Sequence, residues 1–203
     1  MPQLSPPTAA VHHSFLAAMA EFAAEGRGGP RDDSVLGDEM RRFAATWTTR
    51  DGFAAFVAAL RADSLDTTPR PPGFVPATTY WWIDGEEYLA RIVVRHRLTP
   101  HLLATGGHIG YDVRPTARRR GHATEMLRAA LPIAHRLGVS PALLTCDITN
   151  VASMKVIEAN GGQRADEGEG IARYWVPTAP LERAVADPPP AHQPPPDQRA
   201  REK

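Results

Sequence analysis

The stretch from Val113 to Ala123, VRPTARRRGHA, holds the residues whose types and spacing are best suited to chemistry. It lies between a strand-like run, His108 to Val113, and a long helical pattern. A basic, glycine-containing turn that opens a helix is an anion site, because the first N–H groups of a helix lack intrahelical partners and the dipole is positive there. Arg118, Arg119, Arg120, Gly121, His122, Ala123 and Thr124 are expected to offer successive main-chain N–H groups to a phosphate or pyrophosphate. Gly121 lets the backbone approach that guest, and Ala123 keeps the first turn small. Neither G-x-x-x-x-G-K-[ST] nor G-x-G-x-x-G occurs, which disfavours a nucleoside triphosphatase or a dinucleotide-binding fold.

What remains is R-x-x-G-x-A, read at Arg118, Gly121 and Ala123 after a strand ending Tyr111-Asp112-Val113. It resembles the acyl-coenzyme A pyrophosphate loop of the GNAT superfamily of N-acetyltransferases, usually written [QR]-x-x-G-x-[GA]. A second signature follows: the apolar run Ala142 to Cys146, then Asp147-Ile148-Thr149-Asn150, then Ser153 and an apolar-periodic stretch closed by Gly161. Asn150 suits a helix N-cap and Gly161 the helix stop. The resemblance covers roughly Thr78 to Val176.

The resemblance implies a mixed α/β fold. Its central sheet is mostly antiparallel with flanking helices, and two splayed parallel strands form a cleft for the pantetheine arm of acetyl-coenzyme A. Tyr111 and Val113 would supply main-chain groups to the pantetheine, Arg118 to Thr124 would hold the pyrophosphate, and Asn150 and Ser153 would contact the pantetheine side. The implied reaction is direct attack of a primary amine, on a small molecule or peptide, with the oxyanion held by backbone N–H groups. Acetyl-coenzyme A is the donor, an amine the acceptor, and a homodimer stays open.

Ile157 departs from the pattern, standing where many members carry the tyrosine that protonates the leaving thiolate. Tyr174 or Ser153 are the substitutes to consider. For the general base, Asp147 comes first, its other role being to cap the turn before Asn150. His108 titrates in the right range but, as a strand residue, also suits packing. Glu87 qualifies only in a favourable register. The departure at Ile157 also motivates a different reading, a coenzyme-binding module without efficient transfer.

Elements must position these groups. Residues 1–77 are expected as a helical, acceptor-side part of the same domain, with helices from Ser14 to Glu25 and from Phe53 to Arg61. Residues 78–177 form the acyl-coenzyme A core: a hairpin through Asp84-Gly85, a strand to Val113, a helix from Gly121 to Leu137, a buried strand from Pro141, a helix from Val151 to Asn160, and a last strand near Arg173 to Val176. Pro132 should loosen the long helix. Trp47, Tyr80, Trp81 and Trp82 are either acceptor-pocket or core residues, with core the safer reading. Residues 178–203 read as a disordered proline-rich tail.

Composition narrows the function classes. Lysine plus arginine and aspartate plus glutamate number 23 each, so the formal net charge is zero. That weighs against a nucleic-acid binder using Arg118 to Arg120. The single cysteine, Cys146, cannot form an intramolecular disulfide and reads as a small core residue. His96 and His101, near Arg95 and Arg97, lack metal-ligand spacing, so no metal is expected. No signal-peptide pattern or membrane-length apolar run occurs, and the expected location is cytoplasmic.

Overall fold

A computed structural model of the chain describes residues 1–32 and 34–179. The β-prone run around Trp81 and Trp82 forms β2 (Ala77–Asp84). The chain reverses through Gly85 at φ +60° and returns as β3 (Glu87–Arg95). β1 (Gln3–Ser5) adds to the free edge of β2 and β4 (Ile109–Val113) to that of β3, giving an antiparallel sheet in the order β1-β2-β3-β4. A second antiparallel sheet holds β5 (Ala142–Asp147) and β6 (Gln163–Gly168) on either side of β7 (Ile171–Val176).

The crossover helix α5 (His122–Arg136) links β4 to β5. The sheets meet at the roots of these strands, where the His108 N–H donates to the Leu143 carbonyl at 2.7 Å. The Leu143 N–H in turn donates to His108 Nδ1 at 2.9 Å. Both residues stand at the start of their strands, so β4 and β5 run the same way and part towards Val113 and Asp147. The expected splayed pair is therefore present, as a gap between two sheets.

Each face of the first sheet carries its own core. α1 (His12–Ala24), α2 (Val35–Trp47) and α3 (Arg50–Ala62) cover one face, burying Phe15, Phe22, Trp47, Phe53 and Phe56 against Trp81 and Tyr88. α5 and α6 (Val151–Glu158) cover the other, with Met126, Leu127 and Ile157 against Ile92, Val94 and Ile109. Strand alternation sends Trp81 to the first core and Tyr80 and Trp82 to the second. Trp47 and Trp81 are thus core residues, each large side chain contributing about 1.5–3 kcal/mol by burial.

Several elements differ from the sequence reading. α2 was not expected as a helix, because charged residues interrupt its apolar pattern; Ser34 caps it by accepting from the Gly37 N–H at 3.0 Å. A short α4 (Pro100–Ala104), capped by Thr99, also appears, as does β1 within the segment expected to be helical. β6 (QRADEG) is a polar edge strand with no apolar alternation to announce it. α5 runs through Pro132 to Arg136, so the proline does not break it. Thr178, expected at the start of the tail, is 1% exposed and donates to the Val139 carbonyl. The rest of that tail from 180 onward lies outside the described residues.

Candidate active site

The register of β4 decides which of its main-chain groups are available. At one end of its ladder the His108 carbonyl accepts from the Arg95 N–H at 2.8 Å, and at the other the Arg114 N–H donates to the Leu89 carbonyl at 2.9 Å. Alternate residues of an antiparallel ladder turn both main-chain groups to the same neighbour. Gly110 and Asp112 therefore bond β3, and Ile109, Tyr111 and Val113 face the open edge towards β5. Arg118 Nε already donates to one of these groups, the Val113 carbonyl, at 3.1 Å.

Beyond that edge the chain tightens into a single turn at Pro115–Ala117 and then into the arginine run. Arg119 and Gly121 adopt φ of 59° and 83°, the left-handed region that favours glycine. A Cβ on Gly121 would meet nothing within 4 Å, so the space in front of it is open to a ligand. No side chain caps α5, whose first returning bond runs from the Glu125 N–H to the Gly121 carbonyl at 3.1 Å. The N–H groups of Arg119 to Thr124 consequently have no partner among the described residues.

Arg118 departs from the expectation set for it. Its N–H donates to the Pro115 carbonyl at 3.3 Å, and its guanidinium forks onto the Glu25 carboxylate at 2.8 and 2.6 Å. The anion turn is thus held to α1 by an ion pair and offers one N–H fewer than the sequence implied. His122 accepts from Trp82 Nε1 through Nδ1 at 3.4 Å, while its Nε2 is buried without a partner among the described residues. Burial, and then the Arg120 charge, lower its pKa.

Across the gap, the Asn150 side chain accepts from the Ser153 N–H at 3.0 Å, which is the capping role its type allows. The Tyr111 hydroxyl crosses from β4 and donates to the Ser153 carbonyl at 3.5 Å. Burial pushes that phenol up to about 12. Ile157 is 1% exposed, and a Cβ on Gly162 would come within 2.4 Å of its side chain, so this position is packed core. The Tyr174 hydroxyl donates to Glu158 instead, at 3.2 Å.

Two of the three base candidates are engaged. Asp147 accepts from the Thr149 hydroxyl at 2.6 Å and the Thr149 N–H at 2.7 Å, and these bonds hold its carboxyl below the usual range. His108 spends Nδ1 on Leu143, and burial followed by the Arg95 charge lowers its pKa. Glu87 lies exposed at the hairpin, 3.9 Å from Arg114. Burial raises the Cys146 thiol, which favours the unreactive protonated form.

On the opposite face of β4, Asp112 bonds Arg27 at 2.9 Å, and Arg27 also holds Asp32 at 2.9 Å. Burial opposes ionisation of Asp32, but bonds from Ser34 and Gly28 together with the Arg27 charge bring it down to about 2. Deeper in, Arg91 of β3 forks onto Glu39 of α2, one arm at 2.9 Å. The sequence reading missed Arg27–Asp112 and Arg91–Glu39, which join residues far apart in the chain and leave no local signal. Among the described residues, no group of three or more His, Cys, Asp or Glu side chains is arranged to hold a metal ion.

A splayed strand pair leading to an uncapped glycine turn agrees with a comparison against known families, in which the model described as an acetyltransferase (GNAT) domain matches residues 6–163. The chain belongs to the GNAT acetyltransferase family. It is therefore an acyltransferase, and the match reaches back through α1–α3, which the sequence reading treated only as compatible. Solved GNAT structures share the fold. Mycobacterium smegmatis RimJ in complex with CoA-disulfide aligns with a TM-score of 0.56 and 13% identity, over 86% of this chain and 80% of that one. The GNAT domain of S. lividans PAT gives 0.56 and 14%, over 87% and 90%. The microcin C7 self-immunity acetyltransferase MccE, in complex with acetyl-CoA and AMP, gives 0.54 and 11%, over 87% and 92%. No curated protein matches the chain. Among the described residues of this GNAT acetyltransferase, no helix is long and apolar enough to cross a membrane.

Proposed function

We propose that this GNAT acetyltransferase carries the acetyl group of acetyl-coenzyme A to the primary amine of a small molecule or peptide. One observation carries the reading: the open edge of β4 runs from the His108–Leu143 junction straight to the unpartnered N–H groups of Arg119 to Thr124. The coenzyme complexes of RimJ and MccE, on the same fold, support the donor class. Arg119 to Thr124 hold the pyrophosphate, Val113 and Tyr111 pair with the pantetheine, and Asn150 and Ser153 form the facing wall.

The donor supplies an activated thioester. The amine nitrogen bonds to the carbonyl carbon as the carbon–sulfur bond breaks, the nitrogen loses one proton and the sulfur gains one. In this reading the N–H groups of Ile109 and Tyr111, on the open edge of β4, stabilise the negative charge that develops on the carbonyl oxygen. Tyr111 is the proton donor on the sulfur side, because its hydroxyl reaches across to Ser153 while Ile157 offers no polar group. Asp147 and His108 are assigned structural work, capping the turn and closing the junction, and the amine proton passes to water.

Thiol release from acetyl-coenzyme A across a panel of primary amines tests the reading. Turnover with acetylated amine as product supports it; absence of acetyl-coenzyme A binding by calorimetry overturns it. The buried Ile157 favours one competing reading, a coenzyme-binding module, for which tight binding without turnover on any amine class would be the signature. A nucleic-acid role for Arg118 to Arg120 is weakened by Glu25, which neutralises Arg118.

A further inference from the structure

We propose that Arg95 anchors a carboxylate carried by the acceptor, so that the acceptor is an amino acid or a near relative with its carboxylate close to the reacting nitrogen. The inference rests on the acetyl-transfer reading and adds the acceptor class to it.

Several arginines of the two sheets and their neighbouring helices are matched to carboxylates. Arg91 has Glu39, Arg27 has Asp112 and Asp32, Arg114 has Glu21 and Arg173 has Asp166. Arg95 shares the face of Arg91, four residues along the same strand. Among the described residues no carboxylate lies within ion-pair distance of it, and its bonds run from Nη1 to the carbonyls of Gly106 at 2.9 Å and Gly107 at 3.1 Å. Burial, and then the Arg91 charge, lower its pKa. A mostly buried cation answered only by carbonyl dipoles is costly, and an arriving anion relieves that cost.

Its position fits the reaction. The guanidinium reaches over Gly110, where a Cβ would stand 3.7 Å from Nη1 and 3.8 Å from Nη2. Gly110 lies between Ile109 and Tyr111, whose main-chain groups face the thioester edge. A lone glycine inside a strand marks a close approach to the backbone. A chain laid along that edge runs about 4.8 Å from β4, the spacing of neighbouring strands. An acceptor held by the guanidinium over Gly110 therefore lies beside the edge along which the coenzyme is laid. Nε and Nη2 have no partner among the described residues, and together they form the fork that a carboxylate fills with two parallel bonds.

Steady-state kinetics on the whole protein with acetyl-coenzyme A and matched acceptors test this, each amino acid, including β-alanine, against its amide. The expected result is a kcat/KM for the carboxylate member at least about tenfold above the amide, the scale of a charge-assisted bond pair. In Arg95→Gln the ratio should fall towards unity, chiefly through the acceptor KM, and Arg95→Lys should retain part of it. A wild-type preference for amides, or an unchanged ratio in Arg95→Gln, overturns the proposal. So does an equal loss on both members with a lowered Tm, which would make Arg95 only a brace for the Gly106–Gly107 turn. Calorimetry with acetyl-coenzyme A separates the two readings. Coenzyme binding with simple amines preferred, or with no member of any pair acetylated, defeats the anchor and leaves the donor site standing. No coenzyme binding defeats acetyl transfer and the anchor with it.

Discussion

His108 and Leu143 exchange two hydrogen bonds at the root of the cleft, one main chain to main chain and one from the Leu143 N–H to the imidazole Nδ1. That Nδ1 accepts only while unprotonated. The folded pKa of His108 is lowered by burial and Arg95 beneath the unfolded value of about 6.5. Its contribution is therefore complete above about pH 6.5 and is lost as pH falls through the folded value. His108→Ala should cost about 1–3 kcal/mol at pH 8, the penalty of leaving the Leu143 N–H without its acceptor. The variant should then lose less further stability than wild type between about pH 7 and 5, since it lacks this titration. Denaturant midpoints across that range check it; because His96 and His122 titrate in both proteins, parallel curves would contradict the assignment.

Gly121 combines a left-handed backbone with open space, so two substitutions separate folding from binding. Gly121→Ala should cost about 1–2 kcal/mol through its φ of 83° without any clash. Gly121→Glu adds a carboxylate at the anion turn and should raise the acetyl-coenzyme A Kd at least about tenfold beyond the alanine variant. Equal affinities by calorimetry would put the phosphates elsewhere.

The Arg91–Glu39 pair is almost wholly buried between β3 and α2. Glu39→Ala should destabilise by about 3–5 kcal/mol, because it leaves the Arg91 charge unanswered. Replacing both residues by methionine should recover much of that loss. Urea unfolding of the single and double variants decides; a double variant no more stable than the single one would contradict the ion-pair account.

Tyr111→Phe keeps the ring packed and removes only the hydroxyl that reaches Ser153. With the proton path assigned to Tyr111, kcat should fall by roughly a hundredfold, the low end of the range for removing a general acid. The acetyl-coenzyme A KM should move much less, because the main-chain bonds remain. An unchanged kcat would take Tyr111 out of the proton path.

Much of the donor side was legible because its physics is local. Gly121 turns the chain, Asn150 caps a helix and Gly161 stops it at φ 81°, each by its own residue type. α2 and β6 were not, because charged residues mask their patterns; Glu39 is buried only because Arg91, 52 residues on, meets it. Asp147 and His108 stood out as titratable side chains, yet their hydrogen bonds to Thr149 and Leu143 depend on the folded chain. Glu25 and Arg118 lie 93 residues apart, beyond the reach of any local pattern. Gly110, alone inside a strand, was a readable sign of the Arg95 approach.

The most direct test of the donor site is residue-resolved amide hydrogen exchange with and without acetyl-coenzyme A. Coenzyme should newly protect Val113, Tyr111 and the N–H groups of Arg119 to Thr124, while Gly110, Asp112 and Arg118, already bonded or facing β3, change little. Bound coenzyme that leaves Val113 and the Arg119 to Thr124 turn unprotected would contradict the account.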